Sequence, residues 1–288
     1  MQKIIRIGTR DSQLALWQAN KVKKELKELG YESELIPIKS LGDLVLDKPL
    51  YELGVTGVFT KSLDIAMLNK EIDIAVHSLK DVPTVLPEGI IQAAVLKRAN
   101  YTDLLVLKDT EEFFGQPNGV IATGSLRRKA QWLHRYPTHK VEDIRGNVNT
   151  RLEKLADSET WNGAIFAAAG LERLGKRDKG AIPLTWMIPA PGQGAIMITA
   201  LEEDEFVIDA CEQLNHHETK VCVGIEREFL HLLEGGCTAP IGALAYVDEK
   251  TEEINFKGVL LKRDGSKKIT VNKTAKIGSH RYLAKDCV

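Results

Sequence analysis

An excess of charge, a long apolar run and paired cysteines are all missing from this sequence. Lys and Arg number 39 against 40 Asp and Glu, so the 288-residue chain is nearly neutral. That balance offers no general field for a nucleic acid or an anionic membrane, and any strong potential must come from local clustering. The apolar runs are too short to cross a bilayer, and Met1-Gln2-Lys3-Ile4 opens on no signal-peptide core. The four cysteines, at 211, 222, 237 and 287, form neither a C-x-x-C pair nor a zinc spacing. Gly54-Val55-Thr56-Gly57 lacks the Walker lysine and the glycine spacing of a phosphate loop. The expectation is a cytoplasmic protein in a reducing setting, with no metal, no nucleic acid and no membrane as partner.

What is present reads as alternating strands and helices over a length that allows two or three domains. Lys3 to Gly8 is a predicted strand. Asp11 or Ser12 caps a helix with Leu14, Trp17, Val22, Leu26 and Leu29 on one face, ending at Gly30. A strand at 34–38, a polar loop at 39–48, a helix at about 58–69 and a buried strand at 72–76 follow, in a largely parallel sheet closed by 90–96. From Asp103 the pattern restarts, with strands at 104–107, 120–122, 140–144 and 164–168 and helices near 125–135 and 147–156. Ile7-Gly8-Thr9-Arg10-Asp11-Ser12 and Ile121-Ala122-Thr123-Gly124-Ser125-Leu126-Arg127 echo each other, which points to two lobes of similar build facing one cleft. The stretch 188–195, with two prolines and two glycines, is a hinge or crossover, and 196–200 returns to the first lobe. From about His216 a helix precedes three strands, at 241–247, 254–261 and 268–276, in a small antiparallel domain.

Three places carry candidate chemistry. Cys237 lies in Glu234-Gly235-Gly236-Cys237-Thr238, where two glycines stop a helix predicted over 219–233. The negative end of that helix faces the thiol and disfavours its thiolate. A thiol modified once and kept fits better than one that ionises at every turnover, and a small packed hydrophobe is the alternative. Second, the strand at 72–76 runs into His77-Ser78-Leu79-Lys80-Asp81-Val82-Pro83, at the strand end where open α/β sheets bind ligands. Asp81 is there as an acid, a base or a partner for a cation. A solvated loop in which Lys80 and Asp81 satisfy each other is the plainer alternative. Third, Thr123-Gly124-Ser125-Leu126-Arg127-Arg128, with Arg145, Arg151 and Arg173, sets arginines at strand-to-helix transitions of one lobe. Guanidinium forks and helix-start N–H groups make an anion site for several carboxylates or phosphates. His216-His217-Glu218 reads as helix entry, since adjacent histidines do not share a helix face.

The blocks Thr9–Ala19, His77–Pro83, Thr123–Arg128, Arg145–Arg151, Pro191–Ala195, Leu214–Glu218 and Glu234–Cys237 together closely resemble the porphobilinogen deaminase (hydroxymethylbilane synthase) family, in the family's order. The resemblance implies an α/β protein of three domains. Two lobes like periplasmic binding proteins, 1–97 with 196–212 and 102–190, flank a cleft, and a small α+β domain at 216–288 carries a three-stranded antiparallel sheet. It implies a dipyrromethane cofactor held by Cys237 through a thioether, with Ser12, Lys80, Asp81, Thr123, Ser125, Arg127, Arg128, Arg145 and Gly146 around it. Arg10, Ser12, Arg145, Arg151 and Arg173 match the family's substrate-binding positions, and Asp81 its catalytic aspartate. The resemblance also implies porphobilinogen as the substrate, joined unit by unit with loss of ammonia to give hydroxymethylbilane, by a monomer. The sequence departs from the family at Val55-Thr56, where Gly-Lys is common, at Gly124, where serine is common, and at Pro191. It also departs after Lys276, where further helices are usual and Ile277–Val288 only hints at one. Two other classes stay in view: a non-catalytic two-lobed carboxylate-binding protein, and a cysteine-dependent acyl transferase for which no base near Cys237 stands out.

Overall fold

A computed structural model describes residues 3–39, 59–108, 110–233 and 239–288. The first sheet has the order β2-β1-β3-β10-β4. Strand β1 (Ile5–Arg10) runs parallel to β2 (Ser33–Ile38) and β3 (Ile74–Ser78). Strand β10 (Ile196–Leu201) is antiparallel to β3 and to β4 (Ile90–Val95). The sheet is therefore mixed, not largely parallel as the sequence pattern predicts. A strand that re-enters from the far side of another lobe arrives in the opposite direction, and hydropathy carries no sign of that.

Helix α1 (Gln13–Glu28) covers one face, burying Ala15, Ala19, Val22 and Leu26 at helical spacing. The Ser12 hydroxyl caps it by accepting the Ala15 N–H at 3.4 Å. Those side chains pack on Ile5, Ile7, Ile74, Val76, Ile196 and Ile198, a continuous apolar layer. Helix α2 (Lys61–Leu68) covers the other face with Leu63, Ala66 and Met67.

The second sheet, β7-β6-β8-β5-β9, repeats this layout. Strand β6 (Val120–Ala122) is parallel to β7 (Lys140–Glu142) and β8 (Gly163–Ala167), while β5 (Asp103–Leu107) is antiparallel to β8 and to β9 (Ile182–Pro183). Helices α3 (Leu126–Arg135), α4 (Val148–Asp157) and α5 (Ala168–Arg173) complete the lobe. The sequence reading leaves α5 and β9 out, since both are too short for a periodic pattern. Helix α6 (Glu205–Glu212), also unassigned, returns Val207, Ala210 and Cys211 to the first core.

Helix α7 (His217–Leu232) packs on an antiparallel sheet of β11 (Ile241–Asp248), β12 (Glu253–Leu261) and β13 (Lys268–Lys276). Phe229 meets Phe256 edge to face at 5.1 Å in the core of this unit. His216 caps α7 through Nδ1, which accepts the Thr219 N–H, as the helix-entry reading expects. Residues 277–288 form two single 3-10 turns, His280–Tyr282 and Lys285–Cys287, where the sequence hints at a helix. Gly278, with φ +94, makes the turn between β13 and these two 3-10 turns.

Two crossover segments, 96–102 and 184–195, join the lobes. They touch where the Ala99 N–H donates to the Gly194 carbonyl at 3.1 Å. Gly194 has φ +88, and a Cβ there would lie 2.6 Å from the Ala99 carbonyl oxygen, so only glycine allows this approach. Buried Glu226 of α7 braces the same point. It takes both arms of Arg98, at 2.6 and 3.1 Å, and accepts the N–H groups of Gly192 and Ala245.

Candidate active site

Strand β3 ends in a 3-10 turn, Leu79–Asp81. Leu79 is fully buried among Val82, Val95, Ala195, Met197 and Val223, and this anchor turns Lys80 and Asp81 away from the core. Pro83 ends the turn, and Arg227 of α7 donates to the Val82 and Pro83 carbonyls at 2.9 and 2.5 Å.

Across the cleft, β6 runs into Thr123-Gly124-Ser125 and then α3. Thr123 Oγ1 accepts the Ser125 N–H, and the Ser125 hydroxyl accepts the Arg128 N–H, which starts the helix. A Cβ on Gly124 would lie 2.7 Å from the Ile144 carbonyl oxygen, so this backbone is built around the glycine. Arg127 and Arg128 are both buried, and both grip Asp103 at the start of β5. Arg127 Nη1 lies 2.7 Å from Oδ2, and Arg128 donates from Nε at 3.0 Å and lies at 2.8 Å through Nη2. Gln193 Nε2 donates to the same carboxylate at 2.9 Å. Burial alone would raise the Asp103 carboxyl, but the two guanidinia overcome it and hold it well below the carboxylate range.

Arg127 is thus turned inward, to Asp103 and the Ile188 carbonyl. Arg128 also bonds the Ile165 carbonyl and still lines the cleft. With it, Ser78, Lys80, Arg151, Arg173 and Gly194 surround a cavity of about 80 Å³. Arg151 is placed by α4, which Asn147 caps by accepting the Thr150 N–H, and its Nε donates to the Gly146 carbonyl at 2.8 Å. Gly146 holds φ +115, a left-handed turn that fits glycine. Burial, then the nearby Arg128 and Arg145, lower Arg151 to about 10, while Asp81 acts the other way. Burial also lowers Lys80 to about 8, opposed by Asp81 and reinforced by Arg128. Arg173 donates to the Gly194 carbonyl at 2.7 Å and is lowered to about 10 by burial.

The structure therefore brings Lys80, Arg128, Arg151 and Arg173 to one cavity, with Asp81 and Arg145 in electrostatic reach of it. Thr123, Ser125 and Ser12 are held in turn and cap bonds, and Arg10 stacks on Phe59 at 4.3 Å. Cys237, and Val55-Thr56-Gly57 with them, lie outside the described residues. Sequence reasoning missed Asp103 as the buried counter-charge, Gln193 as its third donor, and the Arg98–Glu226 brace. Gln193 stands in the Pro191–Ala195 block, but nothing local ties it to Asp103, 90 residues away.

Among the described residues that line this cavity, the charged ones are Lys80, Arg128, Arg151 and Arg173, all cationic. An array of desolvated guanidinium and ammonium groups fits a ligand with several carboxylates. Comparison with known proteins adds two family models. One described as "Porphobilinogen deaminase, dipyromethane cofactor binding domain" matches residues 5–209, and "Porphobilinogen deaminase, C-terminal domain" matches residues 220–287. A porphobilinogen deaminase of Desulforamulus reducens is 44% identical, covering 96% of this chain and 93% of that protein. A probable porphobilinogen deaminase of Methanocaldococcus jannaschii is 45% identical, covering 91% and 89%. A chloroplastic one of Oryza sativa is 42% identical, covering 97% and 79%.

Proposed function

This chain belongs to the porphobilinogen deaminase family, and from that premise we propose how its own residues join porphobilinogen units, releasing ammonia and finally hydroxymethylbilane. The observation that carries the reading is the convergence of Lys80, Arg128, Arg151 and Arg173 on one cavity beside Asp81. Porphobilinogen brings an acetate and a propionate, so each added unit brings two carboxylates to be neutralised. Lys80, Arg128, Arg145 and Arg151 hold them, with Arg10 and Arg173 at either side and the hydroxyls of Ser12, Thr123 and Ser125 beside them.

Loss of ammonia from porphobilinogen leaves a methylene-pyrroleninium cation. Asp81, in the turn that follows β3, faces that cation with its carboxylate. In this reading Asp81 acts by stabilising that cation and not by donating a proton to the departing amine. Dipyrromethane, bound through Cys237, supplies the nucleophilic pyrrole end on which units are joined. Lys80, Asp81, Arg127, Arg128, Arg145 and Gly146, with Ser12, Thr123 and Ser125, are the residues that would hold it. Arg127 contributes by fixing Asp103, which in turn holds Arg128 at the cleft. The protein works as a cytoplasmic monomer, and its three units divide near 97–102, 190–196 and 212–216.

Intact mass tests this reading. The purified protein carries the excess of two linked pyrroles on the Cys237 peptide, and Cys237→Ser lacks it. Unmodified wild-type protein that gains no adduct with porphobilinogen, and releases no ammonia from it, is instead a carboxylate-binding protein.

A further inference from the structure

Beyond Arg173 the cleft continues into a second cavity, of about 220 Å³, lined by Trp17, Lys21, Lys97, Glu172 and Arg173 among others. Arg173 and Ala169 are walls of both cavities. Along α1, Leu14 faces the inner cavity and Trp17 and Lys21 the outer one, a helical stripe that continues the same groove. The volume is below that of pockets for drug-sized ligands, roughly 300–1,000 Å³, and so suits one small heterocycle and not an oligomer.

Its chemistry is unbalanced in one direction. Among the described residues Lys97 forms no ion pair, and Arg173 bonds a carbonyl but no carboxylate. Lys21 is paired with Glu25 at 2.6 Å. Glu172, the cavity's carboxylate, is shared by Arg177 and Asn100. Trp17 keeps 39% of its surface open, with the Arg173 guanidinium 5.6 Å from its ring centroid. Two cations seeking carboxylates, an aromatic surface and one carboxylate match the groups of a dicarboxylate pyrrole with an aminomethyl cation.

We propose that this outer cavity is a waiting site for the incoming porphobilinogen, with Lys97 and Arg173 on its carboxylates, Trp17 against its ring and Glu172 facing its ammonium group. The proposal rests on the functional reading above. Because the walls come from both lobes and the 96–102 crossover, the bound monomer sits where a small change in lobe angle delivers it past Arg173 to the inner cavity.

Steady-state kinetics on Lys97→Glu and Lys97→Gln test it, since Lys97 is exposed and its replacement leaves the core intact. Lys97→Glu is expected to raise KM for porphobilinogen about fivefold with kcat kept, the effect of one exposed attraction lost and a repulsion gained. Lys97→Gln falls between, and Lys97→Arg restores the wild-type value. Equilibrium dialysis with porphobilinogen, in an Asp81→Asn background that binds without turnover, shows the same ordering. An unchanged KM in Lys97→Glu overturns the proposal. So does an unchanged KM with stalled longer intermediates, which would assign the cavity to the growing chain. Wild-type protein that releases no ammonia from porphobilinogen sinks the functional reading itself, before any Lys97 variant is made.

Discussion

Aligned strand for strand, β2-β1-β3-β10-β4 and β7-β6-β8-β5-β9 match in order and in direction. The registers match too. Ser78 of β3 lies opposite Ile196, and Ala167 of β8 lies opposite Asp103. Carried past the strand ends, this equivalence sets Lys80-Asp81 of the first lobe against Ala169-Gly170 of the second. The first lobe therefore presents its acid to the cleft and an isoleucine inside. The second buries its acid inside, uses it to hold Arg127 and Arg128, and leaves small residues at the cleft. One backbone plan supports both arrangements because strand geometry sets where a side chain starts and not what it carries.

That contrast can be broken from either side. In the first lobe Asp81→Asn is expected to lower kcat by about 10²-fold or more, since it removes the carboxylate that meets the developing cation. Ammonia release by the fully loaded variant checks this, and near-normal turnover would remove Asp81 from the mechanism. In the second lobe Asp103→Asn leaves two buried guanidinia uncompensated and should destabilise the fold by about 3–5 kcal/mol. At the matching position of the first lobe Ile196→Val should cost only about 0.5–1.5 kcal/mol. Denaturant unfolding of the two variants compares them directly, and equal losses would mean that Asp103 is no more than packing.

Two pH effects sharpen the same comparison. His77, at the register position of Phe166, is lowered to about 4 by burial and then by Arg10, so it stays neutral in the folded state. The unfolded chain binds that proton first, so stability falls as pH drops from about 6.5 to 4, by about 3 kcal/mol at most. Melting temperature against pH should show this slope in the wild type and lose it in His77→Phe. Lys80, lowered to about 8, gives up its charge just above neutrality. Its hold on carboxylates then weakens, and KM for porphobilinogen should climb above pH 8 in the wild type. Lys80→Arg stays charged and should flatten that limb, and a wild-type profile flat to pH 10 would exclude Lys80 from carboxylate binding.

Much of the architecture is legible in the residues. The caps at Ser12, Ser125 and Asn147 and the helix stop at Gly30 follow from hydrogen bonds and backbone preferences within a few residues. The echo between residues 7–12 and 121–127 marks two strand-to-helix turns that occupy the same place in two matching sheets. The arginine cluster is legible as a set, but its division of labour is not. Arg127 and Arg128 look alike in sequence, yet one is turned to Ile188 and Asp103 while the other also faces the cleft. The direction of β5 and β10 is not legible for a related reason, since it is set by how the chain crosses between lobes.

By itself the sequence determined the longer elements, their caps, the family-bearing blocks and the local excess of arginine, because each depends on neighbours along the chain. Only the tertiary structure decided that Asp103 faces Arg127, Arg128 and Gln193, that Glu226 ties α7 to both crossovers, and that Trp17, Lys97 and Arg173 wall one cavity. Those partners are far apart along the chain. A charge finds its counter-charge through the packing of whole layers, since desolvation makes an unpaired buried ion costly wherever its partner lies in sequence.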